Sequence, residues 1–515
     1  MRRVRLSPGA KTDPIKMTSR MDTRNEPIYL RPAGLVIIVA LLTAMKLFAA
    51  SQAHFVEDEA YYRIWGLNPA LSYFDHPPMI GWWIAIGQAV FGDTVFAVRA
   101  MVVLSGLIGS LALWRTTSIL FNRTAAGWAV LFLNTSLLVG IGGILATPDA
   151  PSVLFWGLSL WALAELSRSH NANWWLVVGL MAGCGLLSKY SVLFLGAGIV
   201  LWLLWVPDAR RWWRSWQLWA GGLIALLCFA PVLYWNHAHE WASFYKQFGR
   251  AGAGGFTAKY VFEFFGALIG LLNPLIAILA GFGAYHMVKG LKARDGAPSL
   301  LLLSVAPFLL YLLYHSLHAR VQANWPAPLF PAFAIMAAVF VANVKMRTRV
   351  WQRVGGVGVL LGIVVALIVQ LHAVEPITGQ FARKDPTFQL RGWPAIGASV
   401  QAIADAEDAA FVATTSYGLN GQLDFLFKDK LPVFQVTERV RYLMTPPPDI
   451  VLLEKPGLYV TEDRRNQADE LQKVFEKVEE VAELERMVEG VRLERLIVYK
   501  IEGPTGPVLE PVRYR

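Results

Sequence analysis

Long apolar runs, separated by short polar loops, fill residues 33–374, and beyond residue 374 the pattern becomes mixed. About 20 consecutive apolar residues are what a helix needs to cross the hydrocarbon core. The runs predict a first span over 33–50. Further spans follow near 95–120, 125–146, 150–166, 174–188, 190–206, 216–235, 259–288, 299–317, 325–343 and 354–373. The first run is longer than the apolar core of a cleavable leader, so it is read as a retained span. The 259–288 run exceeds what one crossing needs and is read as including a re-entrant or interfacial piece. The expected architecture is an α-helical polytopic membrane protein with about 11–13 transmembrane helices. Residues 375–515 read as a small α/β domain, with short strands at Val412–Thr415 and Ile450–Leu453. An amphipathic helix over Gln467–Met487 and an alternating final strand over Arg495–Ile501 complete it.

Charge sharpens this picture. Only 16% of residues are charged, against about 25% in an average soluble domain. The net charge of +10 does not form the contiguous basic face that nucleic acid requires. It sits in loops: Arg210, Arg211 and Arg214; Lys289, Lys292 and Arg294; Lys345, Arg347, Arg349 and Arg353. These three loops share a side with the basic tail 1–32, which the positive-inside rule makes cytoplasmic. Residues 51–92, 236–258, 318–324 and the whole 375–515 domain are then expected outside the cytoplasm. The two cysteines, Cys184 and Cys228, lie inside apolar runs and read as small buried hydrophobes.

The candidate chemistry lies in the outer loops. The first, 51–92, reads Glu57-Asp58-Glu59-Ala60-Tyr61-Tyr62 and then Tyr73-Phe74-Asp75-His76-Pro77-Pro78. Carboxylates at a span end are costly against lipid. A solvated acidic loop would avoid that cost, but the same segment is dense in Tyr and Trp, which points to interfacial helices on the membrane surface. A second acidic site, Asp149, lies between Pro148 and Pro151, which fix a turn there. Lys189, Arg250 and Arg320 supply cations at the same expected depth, with Asn324 and Trp325 nearby. Carboxylates suit general-base work or metal ligation, and cations suit a phosphate. The set fits a reaction on a phosphate-bearing amphiphile. Asp75, Asp149, His76 and either His237 or His239 could also hold a divalent metal ion, although their spacing matches no known metal motif. No nucleotide-binding loop is found in the chain.

The residues Asp58-Glu59-Ala60-Tyr61-Tyr62, Tyr73-Phe74-Asp75-His76-Pro77-Pro78, Gly87-Gln88, Phe91-Gly92, Arg99 and Thr147-Pro148-Asp149 resemble the family 39/83 glycosyltransferases. That group includes protein O-mannosyltransferases and the bacterial aminoarabinose and galacturonic acid transferases of lipid A and core. Leu187-Ser188-Lys189-Tyr190, Trp235-Asn236, Asn324-Trp325-Pro326 and Arg391-Gly392-Trp393 resemble segments of the bacterial branch. The resemblance implies a C-type glycosyltransferase (GT-C) fold and an inverting transfer from a polyprenyl-phosphate-sugar donor. The acceptor would be a lipid, lipid A or core sugar, or a protein, with the active site on the periplasmic face of a bacterial inner membrane. It gives Asp58 the role of general base or of orienting the acceptor hydroxyl, with Glu59 as its neighbour, and places Asp149 near the acceptor or a metal. Donor phosphate binding would fall to His76, Lys189, Arg250 and Arg320, and substrate contacts to Tyr62, Tyr73, Asn324 and Trp325. In the aminoarabinose transferases a Glu-Lys pair stands where Asp75-His76 stands here, so His76 could hold a phosphate only as imidazolium or as a hydrogen-bond donor. Those enzymes also carry a His in the loop that here reads Phe244-Tyr245-Lys246-Gln247-Phe248, so their metal site has no evident counterpart.

The competing reading is a polyprenyl-linked lipid flippase or transporter. The clustering of ionisable residues at span ends, not at mid-depth, speaks against it, as does the lack of paired halves with matching broken helices.

Overall fold

The computed structural model describes residues 27–249, 255–346, 348–428 and 430–514. Most of the basic tail, Arg250 and Arg347 lie outside the described residues. The polytopic helical architecture is borne out. Among the described residues, seven helices are long and apolar enough to cross a membrane singly: Pro32–Gln52, Val95–Leu120, Asp149–Ser169, Trp216–Ala238, Pro274–Lys292, Gly296–Ser316 and Thr348–Val374. Two bent pairs raise the number to as many as nine: Arg123–Asn134 with Leu137–Ile144, and Tyr190–Trp205 with Pro207–Arg214. Met79–Phe91, Trp174–Leu186 and Ala327–Asn343 are shorter apolar helices. The long 259–288 run breaks at Asn273, whose φ is +80°. The Asn273 side chain accepts from the Leu275 amide and donates to the Gly358 carbonyl. One run therefore becomes the helices Lys259–Leu272 and Pro274–Lys292.

The helices pack closely through small residues, as membrane helices do when backbone approach replaces the hydrophobic driving force. A side chain at Gly179 would meet the Gly221 backbone, and one at Gly283 would meet the Met336 carbonyl.

The first outer loop folds into two helices, an interfacial helix Glu57–Leu67 and Met79–Phe91. An ion pair anchors the interfacial helix. Arg99, on the spanning helix Val95–Leu120, is fully buried and meets both oxygens of the equally buried Glu59, at 2.8 Å and 2.6 Å. Arg99 also donates to the carbonyls of Ala53 and His54 at the end of the first span, each at 2.6 Å. Glu59 in turn accepts from the backbone amides of Val56 and Ala146. One buried pair thus joins the first span, the interfacial helix and the turn leading to Asp149.

The C-terminal domain is a five-stranded sheet in the order β2-β1-β3-β5-β4. Its strands are β1 (Val412–Thr414), β2 (Val433–Gln435), β3 (Gly457–Glu462), β4 (Phe475–Val488) and β5 (Val491–Pro504). β1 lies parallel to β2 and β3, while β3–β5 and β5–β4 are antiparallel. Two sequence expectations are corrected here. Ile450–Leu453 is a helical turn capped by Asp449, with Ile450 and Val451 exposed, and not a buried strand. Gln467–Met487 is not one amphipathic helix: Ala468–Leu471 is a short helix, and from Phe475 onward the stretch is β4, paired along its length with β5. Glu and Lys favour helix locally, but cross-strand packing overrides that preference. Register shifts at Glu480/Ala482 and Arg486/Met487 also break the alternation that would have revealed a strand. The hairpin turns at Glu489 and Gly490, with φ of +46° and +73°, as a tight two-residue turn requires.

The helix Tyr417–Phe427 of this domain lies on the interfacial helix. A Cβ at Gly421 would stand 2.6 Å from the Ala60 carbonyl carbon, so only glycine permits this approach. Gln422 donates to the Phe55 carbonyl at 2.9 Å, and Arg63 bridges Asp93 and Asp424, the latter at 2.6 Å.

Removing one partner of a buried pair leaves an uncompensated charge, at a cost of about 3–5 kcal/mol. Glu59→Gln should therefore lower the thermal unfolding midpoint of the detergent-purified protein sharply; an unchanged midpoint contradicts the anchoring role.

Candidate active site

A cavity of about 750 Å³ opens where the interfacial helix, the Asp149 turn and the C-terminal domain meet. Phe194, Phe308 and Tyr311 give it an aromatic wall, and carboxylates and cations occupy the rest. Asp58, Asp75, Asp149, His76, Lys189, Arg320, Tyr62, Asn324 and Trp325 all line it, as the sequence suggested.

Each carboxylate has a different environment. Asp149 opens the helix Asp149–Ser169 and is held by Lys189 Nζ and Asn324 Nδ2, each at 2.6 Å. Asp75 lies in the loop before Met79–Phe91. It receives Arg441 on both oxygens at 2.6 Å, Lys246 Nζ at 2.8 Å and the Tyr61 hydroxyl at 3.1 Å. Burial pushes the Asp75 pKa up, but Arg441 and Lys246 outweigh burial and hold the carboxyl down at about 2. Burial lowers the pKa of the Lys246 ammonium, against the pull of Asp75. Asp58 has no cationic partner among the described residues; its Oδ1 accepts from the Tyr417 hydroxyl at 3.0 Å. Burial pushes its carboxyl up, the nearby carboxylates Asp75, Asp149 and Glu59 push the same way, and the Tyr417 hydrogen bond opposes them. His76 is lowered to about 4, by burial first and by Lys189 next, so it is neutral near pH 7.

Several expected site residues stand elsewhere. Glu59 does not line the cavity: both its oxygens are committed to Arg99 and to backbone amides, so it braces the fold. Tyr73 is also removed from the cavity: its ring stacks on Trp65 at 4.1 Å and its hydroxyl donates to the Trp65 carbonyl. Arg320 is 69% exposed at the cavity edge and pairs with Glu263 at 3.2 Å. His239 stacks on Trp235 at 4.2 Å, and neither it nor His237 lines the cavity.

The metal set does not fit. Asp75 and Asp149 already face ammonium or guanidinium groups. Among the described residues, no three His, Cys, Asp or Glu side chains converge as a metal site would need.

Among the cavity residues given no site role by the sequence, three meet its carboxylates. Lys246 comes from the short helix Ala242–Phe248, while Tyr417 and Arg441 come from the C-terminal domain. Arg441 also pairs with the half-exposed Glu438 outside the cavity.

The helical bundle, with the 51–92 segment and the C-terminal domain around a charged cavity, matches solved structures in fold. Over 93% of this chain and 100% of the other, the fold matches ArnT from Cupriavidus metallidurans bound to undecaprenyl phosphate, with a TM-score of 0.62 at 15% identity. The apo form of the same protein matches with a TM-score of 0.63. The family model for dolichyl-phosphate-mannose-protein mannosyltransferases matches residues 75–235. Lipid A galacturonosyltransferase RgtD of Rhizobium johnstonii is 26% identical over 309 residues, 59% of this chain and 64% of that protein. An undecaprenyl phosphate-alpha-4-amino-4-deoxy-L-arabinose arabinosyl transferase of Pseudomonas aeruginosa is 35% identical over 198 residues, 35% of this chain and 33% of that one. The matched stretch is thus less than two-thirds of either sequence relative. The resemblance read from the sequence is borne out by the family-model match and the sequence relatives, and the structural matches share its fold.

Asp75 yields a pH prediction. Its folded pKa of about 2 lies below the usual unfolded value of about 3.9. The stability it contributes, about 2–3 kcal/mol, is present above pH 4 and is lost as pH falls through 2. Asp75→Asn should unfold at lower temperature than wild type at pH 7, and the gap should narrow between pH 4 and pH 2. A gap that does not change with pH contradicts this.

Proposed function

We propose that this protein is an inverting glycosyltransferase that moves a sugar from a polyprenyl-phosphate-sugar donor to an envelope acceptor. Lipid A or its core, another glycolipid and a protein are the acceptor classes. The protein resides in a bacterial inner membrane with its N-terminus cytoplasmic and its cavity and C-terminal domain periplasmic; the loop charges support that orientation.

The observation that carries this reading is the division of labour among the cavity carboxylates. Asp75 and Asp149 are neutralised by cations, whereas Asp58 is left without one among the described residues. An unpaired carboxylate with a raised pKa is better matched to taking a proton near neutral pH. The acceptor hydroxyl oxygen attacks the anomeric carbon and its proton passes to Asp58. The bond from that carbon to the phosphate oxygen breaks, and the electron pair leaves with the polyprenyl phosphate. Within the cavity Lys246 and Arg441 share a single carboxylate, so together they can accept the phosphate as its charge grows. Lys189, fixed by Asp149, and Arg320 at the edge are further phosphate partners, and neutral His76 contributes a hydrogen bond. Tyr62, Asn324 and Trp325 line the space left for substrate. The names of the relatives support a lipid-phosphate donor and a lipid A acceptor.

Purified protein should transfer sugar from a panel of polyprenyl-phosphate sugars to envelope lipids. Asp58→Asn should lose about 10²–10⁴-fold in kcat while still binding donor. The wild-type rate should fall with acid through a midpoint above the ordinary aspartate value of about 3.9. Unimpaired turnover in Asp58→Asn would refute the base assignment.

A further inference from the structure

We infer that Tyr417, carried by the C-terminal domain, is a positioning residue that fixes the Asp58 carboxylate in the cavity. The inference rests on the proposed role of Asp58 and extends it to a domain whose part in the reaction is otherwise unassigned.

Three observations support it. The Tyr417 hydroxyl donates to Asp58 Oδ1 at 3.0 Å across 359 residues of sequence. The Tyr417 ring is clamped, 5.3 Å from Tyr61 and 4.8 Å beneath the Arg441 guanidinium, so the hydroxyl has little freedom to point elsewhere. The helix that carries it is keyed to the interfacial helix by the Gly421–Ala60 approach, by Gln422 on the Phe55 carbonyl and by Asp424 on Arg63. Gly418, next to Tyr417, packs against the Glu57 side chain, where a Cβ would lie 2.9 Å away. The position of the phenol is therefore set on both sides of the contact.

The other groups around Asp58 cannot take its place. Asp75, Asp149 and Glu59 face it as like charges, and Tyr62 lies on its own helix. Lys189, Lys246 and Arg441 are each held on another carboxylate, and His76 is neutral. Glu57 is the remaining acidic neighbour in sequence. Tyr417 is thus the donor that orients Asp58 and favours its ionised form.

The test uses a readout that needs no turnover. Dicyclohexylcarbodiimide modifies protonated carboxyls in apolar surroundings, and peptide mass spectrometry reports each site separately. In the full-length protein, Tyr417→Phe keeps the ring and removes the hydroxyl. The pH of half-maximal labelling at Asp58 should rise by about one unit, with Asp75 unchanged as an internal control. Replacing Tyr417 with 3,5-difluorotyrosine, a stronger donor, should move the midpoint the opposite way. In transfer assays, Tyr417→Phe should shift the acid limb of kcat upward by about one unit, with recovery at higher pH and little change in KM. Labelling midpoints that are the same in all three proteins overturn the inference. A shifted midpoint with an unshifted acid limb upholds the contact and overturns Asp58 as the base, so the two claims fail separately.

Discussion

The Arg99–Glu59 pair is the constraint on which the rest of the site depends. An arginine inside a spanning helix must be neutralised or exposed to water. Here it is neutralised by a carboxylate from the neighbouring interfacial helix, and both groups spend their remaining hydrogen-bonding capacity on backbone. That node sets where the interfacial helix lies. Asp58 is the residue before Glu59 and Ala146 lies three residues before Asp149, so the node also brings two of the three cavity carboxylates together. The pair has no evident chemical role, yet the chemistry has no geometry without it.

A second layer builds on that placement. The C-terminal domain reaches over the interfacial helix and inserts Tyr417 and Arg441 among residues of the first outer loop. The cavity wall is therefore shared by the membrane bundle and the extramembrane domain. Charge is distributed unevenly around it: Asp149 is paired with Lys189, Asp75 with two cations, and Asp58, among the described residues, with a phenol. Such an arrangement has a place for an anion at one end and a proton acceptor at another, which is what displacement of a sugar from a phosphate requires.

The membrane spans were legible because burial in lipid demands long apolar runs, and almost every run became a helix close to its expected place. The 125–146 run bends after Asn134, and the 259–288 run breaks at an Asn-Pro step whose side-chain partner, the Gly358 carbonyl, is far away in sequence. Asp58, Asp75, Asp149 and Lys189 were legible as charged residues at span ends. The brace role of Glu59 was not, because a carboxylate facing a cavity and one facing a buried arginine look alike in sequence. Tyr417 and Arg441 lie 359 and 366 residues from their partners, on segments without motif or periodicity. Gly421 and Asp424, on the same helix, acquire meaning only once Ala60 and Arg63 face them. β4 was misread because its composition favours helix and its bulges hide its alternation.

The most direct test of the account is an experimental structure in a lipid nanodisc with a polyprenyl phosphate bound. The account predicts the phosphate within hydrogen-bond distance of Lys246 and Arg441, with the Tyr417 hydroxyl still on Asp58. A phosphate bound away from both cations, or a C-terminal domain swung clear of the interfacial helix in the lipid-bound state, would contradict it.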